Sequence, residues 1–184
     1  MRTQLLVTSI GEDRPGIVAC LTEVFVANSA NLEESRMAIL GGEFAAIMLV
    51  SIATNNVPTL ERDLAKLQTQ GISVTARRTE NLDPNRFAGY SNFEIFLKGA
   101  DHEGIVHKVS SFLHDQSINI QSVETTVVPA PVTGSPLFQM SALVLVPPSL
   151  SAAELKKKLD AIADQETVDI ELRALEQAPL SSRI

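Results

Sequence analysis

The segment Asp13-Arg14-Pro15-Gly16-Ile17-Val18 recurs in the chain as Asp101-His102-Glu103-Gly104-Ile105-Val106, with Asp, Gly, Ile and Val in register. The same offset carries Phe25 onto Leu113, Ser29 onto Ser117, Asn31 onto Asn119 and Leu32 onto Ile120 without a gap. A repeat of this span constrains the architecture more than composition can, because each copy must form the same small unit. Further on, Phe44 matches Phe138 only if the second copy carries extra residues around Val128 to Pro136. The prolines and Gly134 in that insertion predict a mobile loop. A chain of 184 residues accommodates two such units comfortably.

Each copy reads as the same series of elements. Gln4 to Ile10 is a β run, and Ile17, Leu21, Val24 and Phe25 fall at helical spacing before a turn over Asn28 to Asn31. Ser35 to Leu40 and Phe44 to Ala53 form a hairpin through Gly41-Gly42. Pro58 opens a helix with Leu60, Leu64 and Leu67 on one face, and Ile72 to Arg78 closes the unit. In the second copy the strands are Phe93 to Gly99, Ile118 to Val128, Leu137 to Val146 and Val168 to Arg173. Its helices carry Ile105, Val109, Phe112 and Leu113, then Leu155, Leu159 and Ile162.

The order is βαββαβ twice over, which gives an α+β fold of two ferredoxin-like domains, antiparallel sheets with helices on one face. The first domain is expected over residues 1–82 and the second over 92–175, with a linker at 83–91 rich in turn formers and a flexible tail at 176–184. Phe44 to Val50 is apolar on both sides, so its helix-free face is expected to be covered by a second sheet or a second subunit.

Composition narrows the function. Apolar residues at 45% and charged residues at 20% describe a globular chain. A net charge of −7 repels phosphate backbones and disfavours direct nucleic-acid binding. The single cysteine, Cys20, allows no internal disulfide and suits a reducing compartment, so a cytoplasmic location is expected. No signal peptide is read at the start, and the longest apolar run, Phe44 to Val50, is far short of a membrane span, so no membrane partner is expected.

The turn from first strand to first helix is the most specific local feature. Asp13 reads as an N-cap, Pro15 as a first-turn residue whose missing N–H costs nothing, and Gly16 as a residue with no side chain to block close approach. A helix N-terminus attracts a carboxylate and the Asp13 carboxylate could hold an ammonium group, a combination that suits an α-amino acid. Asp101 and Gly104 repeat it. Taken singly, an Asp before Pro-Gly is more often a cap than a ligand, and repetition shifts that balance modestly. Asn31 and Asn119 serve equally well as turn residues or as ligand contacts.

His102, His107 and His114 lack metal-ligand spacing and read as residues of a solvated helix face. Cys20 reads as a packed thiol rather than a nucleophile. No phosphate loop, nucleophile elbow or paired-carboxylate motif is found, so no catalytic residue, metal or cofactor is assigned and the chain is not expected to be an enzyme.

The run from Ile10 to Val18, followed by Asn31-Leu32-Glu33-Glu34-Ser35-Arg36-Met37 and Gly42-Glu43-Phe44, resembles the first ACT domain of the glycine cleavage system transcriptional repressor family. Pro136-Leu137-Phe138 and Val146-Pro147 resemble that family's second ACT domain. The resemblance implies an amino-acid sensor, with glycine or a related amino acid as effector, that influences transcription through a protein partner such as a transcription regulator and forms a homo-oligomer. It also implies that effectors bind at interfaces between domains, through the strand-one to helix-one loop and the start of strand two. Carried over, the ligand-binding set is Asp13, Gly16, Ile17 and Asn31, with Asp101, Gly104, Ile105 and Asn119 in the second copy. His102-Glu103 in place of Arg14-Pro15 departs from the pattern, and the added carboxylate weakens anion binding there. The alternatives are an oligomerisation module that binds no ligand and a regulatory subunit of an amino-acid metabolic enzyme.

Overall fold

A computed structural model describes residues 1–79, 85–131 and 134–175. Among them the chain divides into two compact units, one ending by residue 79 and one starting by residue 85. The tail at 176–184 lies outside the described residues.

The first unit runs β1 (Arg2–Glu12), α1 (Ile17–Ala27), β2 (Asn31–Leu40), β3 (Glu43–Ala53), α2 (Val57–Ala65) and β4 (Ile72–Thr79). A 3₁₀ turn precedes α2 and another, Lys66–Gln70, carries its end to β4. The strands form one antiparallel sheet in the order β2-β3-β1-β4.

Alternation decides which face is filled. Leu5 and Val7 of β1 lie opposite Val50 and Met48 of β3, all fully buried. Ile17, Leu21 and Phe25, four residues apart along α1, and Leu60 and Leu64 of α2 close over that face in a single core. Each such side chain contributes roughly 1.5–3 kcal/mol by leaving water. Cys20 is packed against the same core as a free thiol. The opposite face is less buried within the chain: Ile10 is 52% and Ile47 43% exposed, and Ala45 is exposed.

The end of α1 is fixed by polar contacts. Buried Asn28 donates from Nδ2 to the Val24 carbonyl at 3.0 Å and to Asp63 Oδ2 at 3.3 Å, tying α1 to α2. Ser29 then turns the chain with φ of 54°. The left-handed residue here is Ser29, and Ser117 (φ 55°) in the second unit, while Asn31 and Asn119 open strands. β2 also starts earlier than the pattern from Ser35 suggests, because Glu33 and Glu34 sit at a bulge that breaks the alternation.

The second unit repeats the plan as β5 (Ser91–Ala100), α3 (Ile105–Asp115), β6 (Asn119–Pro129), β7 (Pro136–Val146), α4 (Ala152–Glu166) and β8 (Val168–Ala174), with sheet order β6-β7-β5-β8. Ile95, Leu97, Val144, Leu113, Leu155 and Leu159 centre its core. α4 starts on a capping box in which the Glu154 amide donates to Ser151 Oγ at 3.3 Å and the Ser151 amide donates back to Glu154 Oε2 at 3.1 Å. Of the expected insertion, residues 132 and 133 lie outside the described residues; at its described ends the Ala130 amide donates to the Ser135 carbonyl at 2.8 Å. In the linker stretch, Phe87 and Tyr90 meet edge to face at 5.3 Å, and Ser91 already belongs to β5.

Candidate functional site

The chain leaves β1 after Glu12 and enters α1 at Ile17, so Asp13 to Gly16 form a loop at one end of the sheet. Asp13 does not cap the helix, contrary to its sequence reading. Its amide donates to the Gly42 carbonyl at 2.8 Å, which pins the loop to the β2–β3 turn, and Pro15 stands before the first helical turn. The capping position belongs to Gly16, whose φ of 99° and ψ of −8° are left-handed. That conformation is open to glycine and strained for other residues.

No side chain caps α1, and no acidic residue lies in its first turn. A Cβ built on Gly16 would meet nothing within 4 Å, so there is open space above the helix end. The free N–H groups of the first turn and the partial positive charge of the helix lie at this end, and Asp13 of the same loop is exposed. Ile17 faces the other way and is buried in the core.

The second loop is built alike. Gly104 caps α3 at φ 94° and ψ −8°, without a side-chain cap and with nothing within 4 Å of an added Cβ. The Asp101 amide donates to the Pro136 carbonyl at 3.3 Å, the counterpart of Asp13 on Gly42, and Ile105 is buried like Ile17.

Asn31 and Asn119 stand elsewhere. The ladder sets Asn31 opposite Ser51 and Ser51 opposite Gln4, while the β1–α1 loop follows Gly11. From Gln4 to Gly11 is roughly 23 Å at about 3.3 Å per residue. Asn119 is likewise level with Asn92, at the far end of β5 from Gly99. Neither asparagine adjoins the loop of its own unit. Asn31 instead donates from Nδ2 to Glu33 Oε1 at 3.0 Å, and Ser51 Oγ donates to the same oxygen. Those two bonds, Ser51 first, hold the Glu33 carboxyl below its ordinary range. Arg2 completes the cluster on Ser51 Oγ at 2.7 Å.

A family model described as the ACT domain matches residues 3–76. The glycine cleavage system transcriptional repressor of Escherichia coli strain K12 is 27% identical over 165 residues, which cover 88% of this chain and 84% of that protein. The UPF0237 protein MK1213 of Methanopyrus kandleri is 42% identical over 81 residues, covering 42% of this chain and 90% of that protein. The crystal structure of an unknown protein from Galdieria sulphuraria superposes with a TM-score of 0.78 at 34% identity, covering 95% of this chain and 99% of that one.

The first unit of the chain is an ACT domain.

In this ACT-domain protein one pair of loop residues escaped the sequence reading. Arg14 donates a guanidinium N–H to the Gln70 carbonyl at 2.8 Å. His102, which falls on Arg14 in the repeat, places Nε2 3.3 Å from the Glu166 carbonyl. Gln70 and Glu166 each precede a left-handed residue, Gly71 and Thr167, that leads into the last strand. His102 is thus tied to the end of α4 from the loop before α3, while remaining exposed. The coincidence of two N–H donors at one repeat position was the available signal; their acceptors become visible only in the fold.

Among the described residues no group of three or more His, Cys, Asp or Glu is placed to hold a metal ion. Among the described residues no helix is long and apolar enough to cross a membrane.

Proposed function

We propose that this ACT-domain protein is an amino-acid-responsive regulator whose ligand, glycine or a related small amino acid, sits on the β1–α1 and β5–α3 loops. One observation supports this most: Gly16 and Gly104 adopt the same left-handed cap over the same open space, each beside an exposed aspartate. The amino acid's carboxylate meets the free N–H groups of the helix, and its ammonium meets Asp13 or Asp101. Asp13 and Gly16, with Asp101 and Gly104, provide the contacts; Ile17 and Ile105 anchor the helix ends from the core.

The likeness to a glycine cleavage system transcriptional repressor supports an output on glycine-degradation genes. A net charge of −7 supports action through a protein partner in the cytoplasm rather than on DNA. The role is regulatory and not enzymatic. The exposure of Ile10, Leu40 and Ile47 supports a homo-oligomer.

A thermal-shift screen of the whole protein against the common amino acids tests the reading. A ligand that binds only the folded state stabilises it by about 2.7 kcal/mol at a hundredfold excess over Kd. A saturable shift with glycine or serine that Asp13→Asn weakens is the expected result. No shift with any amino acid would leave the exposed apolar residues as the better guide, toward an assembly module.

A further inference from the structure

His102 holds the second loop through both ring nitrogens. Nε2 lies 3.3 Å from the backbone carbonyl of Glu166 and Nδ1 3.2 Å from that of Glu103. A carbonyl only accepts, so both bonds require N–H at both nitrogens, and only the imidazolium has them. A neutral ring keeps one N–H and gives up one bond.

The charged groups around the ring favour the imidazolium. The Glu166 carboxylate, from the end of α4, lies 3.9 Å from Nε2, and Asp101 of the loop itself adds its field. Lys108 of α3 opposes them, 3.9 Å from the same Glu166 carboxylate, which it partly neutralises. The two carbonyl bonds, Glu103 first and Glu166 second, raise the His102 pKa above its ordinary value.

We propose that His102 is a proton-operated latch that fastens the Asp101–Gly104 loop to the end of α4, whereas Arg14 fastens the Asp13–Gly16 loop at every pH. The guanidinium of Arg14 does not lose its proton in a protein, so the first loop is a built-in control for the second. The latch is at full strength below the ordinary histidine pKa and weakens as pH rises through the raised value, when the ring loses one of its two bonds and its charge opposite the Glu166 carboxylate. That it tunes amino-acid binding at the second loop rests on the function proposed above; the latch itself does not.

The test uses the full chain, isotope-labelled and free of amino acids, followed by NMR from about pH 5.5 to 8.5, the range in which histidine titrates. Two amides serve as paired reporters, Asp13 on the Gly42 carbonyl and Asp101 on the Pro136 carbonyl. His102 is expected to titrate above about 6.5. The exchange protection of the Asp101 amide should fall severalfold with the same midpoint while that of Asp13 stays constant, and H102R should remove the change. A His102 midpoint at or below the ordinary value, a constant Asp101 protection, or an equal fall at Asp13 would overturn the latch. Glycine titrations at both ends of the range then address the dependent clause: binding at the second loop should weaken severalfold at high pH. If the latch is observed and no amino acid binds either loop, the ligand reading fails and the latch stands.

Discussion

Gly99 and Val168 approach so closely across the β5–β8 ladder that a Cβ on Gly99 would stand 2.4 Å from Val168 Cγ1 and 2.9 Å from its Cβ. Gly11 has the same place in the first unit, where an added Cβ would stand 2.6 Å from the Gly71 carbonyl oxygen. Both glycines lie two residues before the aspartate of the strand-to-helix loop, so the close contact of first and last strand fixes where that loop starts.

Gly99→Ala and Gly11→Ala should each destabilise the protein by about 1–3 kcal/mol, the usual cost of overpacking. Gly11→Ala should cost more, because its obstacle is backbone that cannot rotate away, although Val168 is itself stiff about χ1. Urea denaturation measures both. A loss near zero would mean that the last strand shifts freely against the first.

Gly16 and Gly104 call for a different substitution logic, since there is space around them and the restriction is conformational. Gly16→Ala and Gly104→Ala should each lose about 1–3 kcal/mol, the cost of a left-handed residue other than glycine. Gly16→Val should lose more, as a β-branched residue suits that region least. Gly16→Val is therefore a poor probe of ligand binding, and Asp13→Asn a better one. Calorimetric melting of the alanine variants checks the argument, and unchanged stability would show that the helix start relaxes to an ordinary geometry.

The repeat and the apolar periodicities were enough to read βαββαβ twice, because Ile17, Leu21 and Phe25 and their partners in the second copy recur at helical spacing and each set fills the core of its own unit. The ends of elements were harder to read. Asp13 looked like a cap because the sequence motif does not reveal that Gly16 turns left-handed and takes the capping position. Asn31 looked like part of the loop site because its distance from Gly16 depends on the sheet register, which sets it beside Ser51 and Gln4. The anchors of Arg14 and His102 join residues far apart in the chain and leave no local pattern.

Asp63 should respond to acid in a predictable direction. Lys66 donates to its carboxylate at 2.7 Å and Asn28 at 3.3 Å, and these bonds, Lys66 first, lower its pKa from 3.8 to about 2. A depressed pKa in the folded state means that the contribution is complete above about 3.8 and is lost as pH falls through about 2. Lys66→Met should move the midpoint back toward 3.8, as followed by the side-chain carboxyl carbon in NMR. A midpoint that does not move would assign the depression to Asn28 and to Arg62, whose Nε donates to the same carboxylate at 3.3 Å, and Asn28→Ala and Arg62→Met would then separate the two.

Ser9 should behave in the opposite sense to most core positions. It is buried between Ala46 and Val74 of the flanking strands, and its Oγ has no hydrogen-bond partner among the described residues. The repeat sets Ser9 on Leu97, which is fully buried in the second core, so this position suits an apolar group. A buried hydroxyl without a partner costs about 1–3 kcal/mol, and removing it leaves only a small void. Ser9→Ala should therefore stabilise the protein, by about 1 kcal/mol once the lost packing is set against the relieved desolvation. Urea denaturation at neutral pH decides it. A loss of stability would mean that Ser9 Oγ bonds an ordered water in solution, which needs two to four polar partners around it.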